Sequence, residues 1–189
     1  FESALPDFLT VVHFGGSPCE METIYNLSIE YGFKIIEDAS HALGSSYKNK
    51  MIGENNFSLA SVFSFHPVKM ITTGEGGAIL LNSEKDQEKV RSLRSHGIVS
   101  TKSLEMNKRP GWYYEQVDLG YNFRMSELQA ALGSSQIERL EHFINKRNTL
   151  AKYYKKHLSK LPFKFQKILK GCNSSYHLFT VELTDKIFS

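Results

Sequence analysis

LTVVHFGGSPCEMETIYNLSIEYGFKIIED, Leu9 to Asp38, is the stretch on which the fold turns. LTVVHFGG is an apolar, β-branched run closed by Gly15 and Gly16, the pattern of a buried strand. Ser17 and Pro18 then offer an N-cap and a first-turn proline. The following CEMETIYNLSIEY carries Met21, Ile24, Leu27 and Tyr31 at helical spacing, and Gly32 stops it. FKIIED is a second short apolar run. Strand, helix, strand in that order is a βαβ unit, which predicts a parallel sheet.

Further strands are expected at SVFSF (Ser61 to Phe65) and GAILLN (Gly77 to Asn82). Ser83 with Asp86 has the form of a capping box opening the helix EKDQEKVRSLRSH, ended by Gly97. Residues 98 to 118 are irregular by pattern. Ser126 with Gln129 suggests another capping box, opening a helical run that reaches Leu158, with Leu128, Ala131, Leu132, Ile137, Leu140, Phe143 and Ile144 near the helical period. A run this long predicts a bridge between two domains or a kink. Pro162 ends it, and HLFTVEL has the look of a last strand. The chain opens on Phe1 and closes just beyond that strand, so it is expected to be part of a longer protein.

The 189 residues, 41% of them hydrophobic, suffice for one ordinary domain, or one and part of a second. A net charge of +3 with both signs interspersed argues against a nucleic-acid partner. No apolar run approaches a membrane span. Cys19 and Cys172 stand far apart, with neither a CxxC nor a zinc spacing, so two free thiols in a reducing cytoplasm are expected and no metal.

The chemistry concentrates in two places. Asp38 ends a predicted parallel strand, where α/β sheets open into a ligand crevice, although an acid there can also simply cap the next turn. His41 follows three residues on; a lone histidine is more often a packed or capping residue than a ligand. In SFHPVKMITTGEGG, Ser64 to Gly77, Lys69 falls in a tight loop directly after a buried strand. A lysine held beside apolar walls is suited to bond a carbonyl carbon. Ser64 is placed to anchor a phosphate, and the glycines allow close backbone approach. The order is not that of a P-loop, because the lysine precedes the glycines, nor is it GxGxxG. A lysine for an aldehyde, an acid for a ring nitrogen and donors for a phosphate together match pyridoxal 5'-phosphate.

EDASHALGSSYKNKMIG, SVFSFHPVKMITTGEGGAILLN, RSHG and LGYNFRMSELQAALGSSQIERL resemble, in the same order, the fold-type I aminotransferases that act on nucleotide-linked keto sugars. The resemblance implies an α/β fold, that of the aspartate-aminotransferase-like, pyridoxal-phosphate-dependent transferases, mainly parallel with flanking helices and incomplete at both ends. It implies that residues 1–140 are the central part of the large cofactor-binding domain, and 141–189 a linking helix and the start of a C-terminal small domain. It implies pyridoxal 5'-phosphate as cofactor. Lys69 then matches the lysine that bonds the cofactor, and Asp38 the acid on the pyridine nitrogen. His41 matches a residue beside the ring, Ser64 a phosphate-binding serine, and Asn122 an asparagine reaching the phosphate of a neighbouring subunit. The expected reaction moves an amino group from L-glutamate to the 4-keto carbon of a UDP-linked 4-keto-6-deoxy-N-acetylhexose, in the pseudaminic acid branch of the family. A cytoplasmic homodimer with shared sites is implied, with neither nucleic acid nor membrane as partner. The family's N-terminal Gly-Thr helix start and ring-stacking aromatic have no counterpart here, so this function is that of the parent protein.

Three other readings stay open. Dehydratase relatives replace the lysine with histidine; Lys69 favours transamination, and His66 is at the wrong position. A truncated relative could bind a nucleotide sugar without catalysis, or the chain could act on another keto sugar. A nicotinamide-dependent reductase would need GxGxxG after the first strand, and FGGSPC does not supply it.

Overall fold

The computed structural model describes residues 5–100 and 112–184. They fall into two units, Phe1–Leu80 with Glu127–Ser189 and Leu81–Ser126.

In the first unit, β1 (Phe8–Val12) leads through a turn at Phe14–Gly16 into α1 (Met21–Tyr31) and β2 (Lys34–Asp38). β1 and β2 pair in parallel, Phe8 opposite Lys34 and Val12 opposite Asp38, as the βαβ reading requires. The helix starts later than expected. Ser17 and Pro18 lie in the approach, the cap position is Glu20, and its side chain makes no capping hydrogen bond. The buried face also differs: Met21 and Ser28 are buried with Ile24 half-buried, while Leu27 and Tyr31 are exposed. Met21, Ile24 and Ser28 keep the i, i+3, i+7 spacing of one helix face.

A short hairpin follows, β3 (Ser46–Tyr47) with β4 (Lys50–Met51), turning at Lys48 and Asn49 with positive φ. β5 (Ala60–Ser64) then pairs in parallel with β2, and β6 (Gly77–Leu81) completes a sheet ordered β1-β2-β5-β6. Gly77 is required there, since a Cβ would stand 2.6 Å from the Phe63 carbonyl oxygen. Val11, Ile35, Phe63, Met21, Ala39, Ala42, Tyr47 and Ile52 form the core.

The expected long helical run is two helices, α3 (Glu127–Ile137) and α4 (Leu140–Leu158), so the kinked alternative holds. β9 (Phe163–Phe165) pairs antiparallel with β10 (Val181–Leu183), which leaves only the end of HLFTVEL as strand. In the second unit, Ser83 caps α2 (Glu84–Arg94), its hydroxyl accepting from the Asp86 N–H. The stretch taken as irregular holds two short strands, β7 (Ile98–Ser100) and β8 (Tyr114–Gln116), paired antiparallel. Three residues show no periodicity, which is why the pattern missed them.

Beneath the sheet edge lies a buried polar chain. The His13 Nε2–H donates to Glu37 Oε2 at 2.7 Å, while its Nδ1 accepts from the Cys19 N–H at 3.1 Å. The Ser58 hydroxyl donates to the other Glu37 oxygen at 2.5 Å, and the Ser61 hydroxyl donates to the Asn55 side chain at 2.6 Å. These bonds fix the turn after β1 to β2 and hold the loop before β5. His13→Ala would leave the buried Glu37 carboxylate without its ring partner and is expected to destabilise the protein by about 3 kcal/mol. Glu37→Gln, which keeps an acceptor for the ring, should cost less. Thermal or urea midpoints at neutral pH measure both; an unchanged midpoint in His13→Ala would remove the pair from this role.

Candidate active site

Parallel strands deliver their side chains to one edge. Asp38 is the last residue of β2, and Ser64 the last of β5. After Ser64 the chain makes a compact loop and returns at Gly76, where the Phe65 N–H donates to the Gly76 carbonyl at 2.8 Å. Within it, the Lys69 N–H donates to the His66 carbonyl at 2.9 Å, forming a turn. Thr72 and Thr73 fold back: the Thr72 hydroxyl and the Thr73 N–H both donate to the Phe65 carbonyl, at 3.1 and 3.0 Å. Met70 and Ile71 are buried, so the loop is pinned immediately after Lys69, which is itself half-buried. The Ser64 Oγ accepts from the His66 N–H at 3.4 Å.

Asp38, His41 and Lys69 are brought within electrostatic reach of one another. Burial alone would push the Asp38 carboxyl up. The Ser40 N–H, which donates to Asp38 Oδ1 at 3.0 Å, the Ser40 side chain, and the charges of His41 and Lys69 outweigh it and hold the carboxyl below its ordinary value. His41 is pushed down by burial and by Lys69, with Asp38 opposing. Its Nδ1 accepts from the Gly15 N–H at 3.3 Å, which fixes the neutral tautomer with the proton on Nε2. The edge of Phe14 meets the ring at 5.7 Å between centroids. The site thus presents an ionised acid, a neutral imidazole and a primary amine at the carboxyl ends of β2 and β5.

Two features were missed by the sequence reading. His177, taken there as part of a strand, packs its ring on His41 with centroids 4.5 Å apart. Gly16 is the second. At φ +90° its Cβ position lies 2.5 Å from Ser175 Oγ and 3.0 Å from both the His41 carbonyl oxygen and the Tyr176 nitrogen, so residues 175–176 can dock only against a glycine. The signal that could have flagged His177 is the polar run Asn173, Ser174, Ser175 just before it, which does not suit a strand.

Asn122 belongs to the second unit, where it forms an isolated antiparallel bridge with Ser95. It is exposed between Tyr121 and Phe123, whose rings stack at 4.7 Å and 1°. His142 and His157 are exposed on α4. Neither cysteine is in a disulfide. Among the described residues no helix is long and apolar enough to cross a membrane.

The DegT/DnrJ/EryC1/StrS aminotransferase family model matches residues 7–188, and the chain belongs to this family. It is 41% identical over 181 residues to the UDP-4-amino-4,6-dideoxy-N-acetyl-beta-L-altrosamine transaminase of Campylobacter jejuni, covering 95% of this chain and 46% of that protein. The Helicobacter pylori enzyme of the same name is 37% identical over 180 residues, 94% of this chain and 45% of that protein. Among solved structures, Helicobacter pylori PseC, an aminotransferase involved in the biosynthesis of pseudoaminic acid, superposes with a TM-score of 0.82 at 36% identity, over 94% of this chain and 45% of that one. The chain therefore spans about half the length of the curated relatives it matches. Its fold is the α/β fold of the pyridoxal-phosphate-dependent aminotransferases, with β1, β2 and β5 forming a parallel part of the sheet.

His177 predicts a pH dependence. Burial first, then the charges of His41, Lys69 and Arg147, push its imidazole down from 6.5 to about 4. The folded state then binds fewer protons than the unfolded chain between these values, so stability is complete above about pH 6.5 and falls as the pH drops toward about 4. His177→Phe, which cannot titrate, should flatten the thermal midpoint across this interval. An equal slope in the variant would assign the acid sensitivity to other groups.

Proposed function

We propose that the protein is an aminotransferase that moves the amino group of L-glutamate to the 4-keto carbon of a UDP-linked 4-keto-6-deoxy-N-acetylhexose, in pseudaminic acid and surface glycan biosynthesis. The observation that carries this reading is the meeting of Asp38, His41 and Lys69 at the strand ends, Lys69 bearing on both Asp38 and His41 and these two on each other. The names of the Campylobacter and Helicobacter relatives support the substrate.

The donor set fits pyridoxal 5'-phosphate. Lys69 is half-buried with its charge bearing on Asp38 and His41, and Asp38 is kept ionised. When bound, the cofactor supplies an electron-withdrawing ring that stabilises negative charge on the carbon bearing the amino group. Asp38 would hold the proton on the ring nitrogen, its charge secured by Ser40. Lys69 would hold the aldehyde carbon and, once released by the substrate amine, carry a proton between the two carbons concerned. His41, neutral, would lie against the ring without adding a competing charge. Ser64 would donate to the phosphate. We further assign residues 1–140 to the large cofactor-binding domain and 141–189 to the linking helix and the start of the small domain, in a cytoplasmic protein.

Asn122 would complete the phosphate site of a second subunit in a homodimer. Its neighbours support an interface: Leu119, Tyr121 and Phe123 are 82%, 59% and 70% exposed, an apolar surface of the kind that partners cover.

Two experiments on the full-length protein test this. With pyridoxal phosphate bound, borohydride should leave a pyridoxyl group on the peptide containing Lys69, and Lys69→Ala should abolish amination of the keto sugar by glutamate. Full turnover in that variant would overturn the reading. For the shared site, Lys69→Ala and Asn122→Ala subunits are mixed and allowed to exchange. Shared sites give each heterodimer one site with both lesions and one with neither, so activity returns in part. No recovery, with exchange confirmed by mass spectrometry, would confine Asn122 to its own chain.

A further inference from the structure

The segment Asn173–Leu178 is tied to the candidate site from two sides. On the site side, the Ser175 hydroxyl donates to the His41 carbonyl at 3.0 Å, and the Ser175 N–H donates to the Ser45 hydroxyl at 3.0 Å. The Ser45 hydroxyl in turn donates to the Gly16 carbonyl at 2.7 Å, and the Leu178 N–H donates to the Gly15 carbonyl at 3.3 Å. On the α4 side, the Arg147 guanidinium donates to the carbonyls of both Tyr176 and His177 at 3.2 Å. The Asn148 amide donates to the Ser174 carbonyl at 3.0 Å, and Lys155 donates to the Tyr176 hydroxyl at 3.0 Å.

Between these ties Tyr176 adopts φ +47°, a conformation a bulky side chain rarely takes, and the Ser174 hydroxyl accepts its N–H at 3.0 Å. Such strain persists only where the surroundings over-determine it. The next residue is His177, whose ring rests on His41 and whose Nδ1 is buried with no hydrogen-bond partner among the described residues. A ring placed by strain, and bonded at that nitrogen to nothing, contributes through its surface.

We propose that His177 is a positioning residue for His41: its ring is the wall that fixes the His41 imidazole beside Asp38 and Lys69, and Arg147 of α4 holds that wall in place. The proposal rests on the cofactor reading given above. The groups facing the pair are consistent with it. Lys69 from the loop after β5 and Arg147 from α4 both bear on His177; Asp38 and Lys69 bear on His41, with Phe14 against its edge. Two cations beside two imidazoles in tilted contact favour neutral rings, and a neutral His41 keeps the Nδ1 lone pair that accepts from Gly15.

The deciding measurement is the titration midpoint of His41, followed by NMR in full-length, cofactor-free protein carrying 13C-labelled histidine, with His41→Gln used for assignment. His177→Ala removes the wall and admits water, and the His41 midpoint is expected to rise toward the ordinary value near 6.5. His177→Phe keeps a flat ring, and the midpoint should stay low. Arg147→Met, which leaves the ring but frees its carbonyls, should move the midpoint in the same direction as His177→Ala, and decides the matter if the alanine variant does not fold. With cofactor present, His177→Ala should weaken pyridoxal phosphate binding by about tenfold, the upper range of one aromatic contact, while His177→Phe should not. An unmoved His41 midpoint in His177→Ala or Arg147→Met, or a midpoint in His177→Phe raised as far as in His177→Ala, overturns the proposal. If the unaltered protein binds no pyridoxal phosphate, the cofactor reading fails, while the midpoints still judge the positioning role by themselves.

Discussion

The parallel register of β2 with β5 is the constraint on which the site depends. Ile36 lies opposite Ala60 and Asp38 opposite Val62. Both strands therefore run out at the same edge, and the chain leaving β5 must turn there. Lys69 lies in that turn because Met70 and Ile71 are drawn into the interior immediately after it. A one-residue slip in β2 would exchange its two faces, placing the Glu37 carboxylate where Asp38 now stands and leaving His13 without its acid. The buried His13–Glu37 bond and the place of Asp38 at the strand end are thus two consequences of one register, set by alternation along KIIED.

Much of this was legible in LTVVHFGG and FKIIED, since a βαβ unit fixes direction and direction fixes which strand ends carry chemistry. Asp38, Ser64 and Lys69 could be singled out as candidates because they sit next to strongly apolar runs. His177 could not. It opens HLFTVEL, which has the look of a strand, but this start is held outside the strand by bonds reaching 30 and more positions away, His177 to Arg147 and Leu178 to Gly15. Periodicity reports what a residue does within its own element; it carries no information on a backbone held at positive φ by a distant guanidinium. The same limit applies to β7, β8 and β9, each of three residues, too short for a period to appear. The break between α3 and α4 is subtler. The helical spacing of apolar residues runs on through Leu140, but the chain interrupts at Glu138 and Arg139, and the sequence there holds neither proline nor glycine to announce it.

The electrostatics of the site follow from how few ways there are to place cations together. Lys69 and Arg147 both act on His177, and Lys69 also acts on His41. Asp38 offers one opposing charge. The two imidazoles respond by staying neutral, which lets them pack at 4.5 Å between centroids, tilted by 41°, without repulsion. Neutrality also settles their hydrogen bonding, because a His41 ring with a lone pair on Nδ1 can accept the Gly15 N–H and so lock the turn after β1 to the loop after β2.

A site of this composition would select its ligand by charge. Two strong cations against one carboxylate leave a positive balance, and bringing in a further cation would raise the repulsion already felt by the histidines. An anionic group lowers it, and a phosphate ester carries close to two negative charges at neutral pH. The carboxylate, in contrast, would suit a protonated ring nitrogen under the proposed function, since its ionised form is the one that Ser40, His41 and Lys69 favour. A ligand that presents a phosphate at one end and a basic aromatic nitrogen at the other therefore satisfies both halves of the charge distribution at once. An aldehyde between them would meet the remaining group, the Lys69 amine. The fit does not depend on any one contact. It arises because the end of β2 supplies the acid while the β5 loop and α4 supply the cations, and a dipolar ligand would meet both.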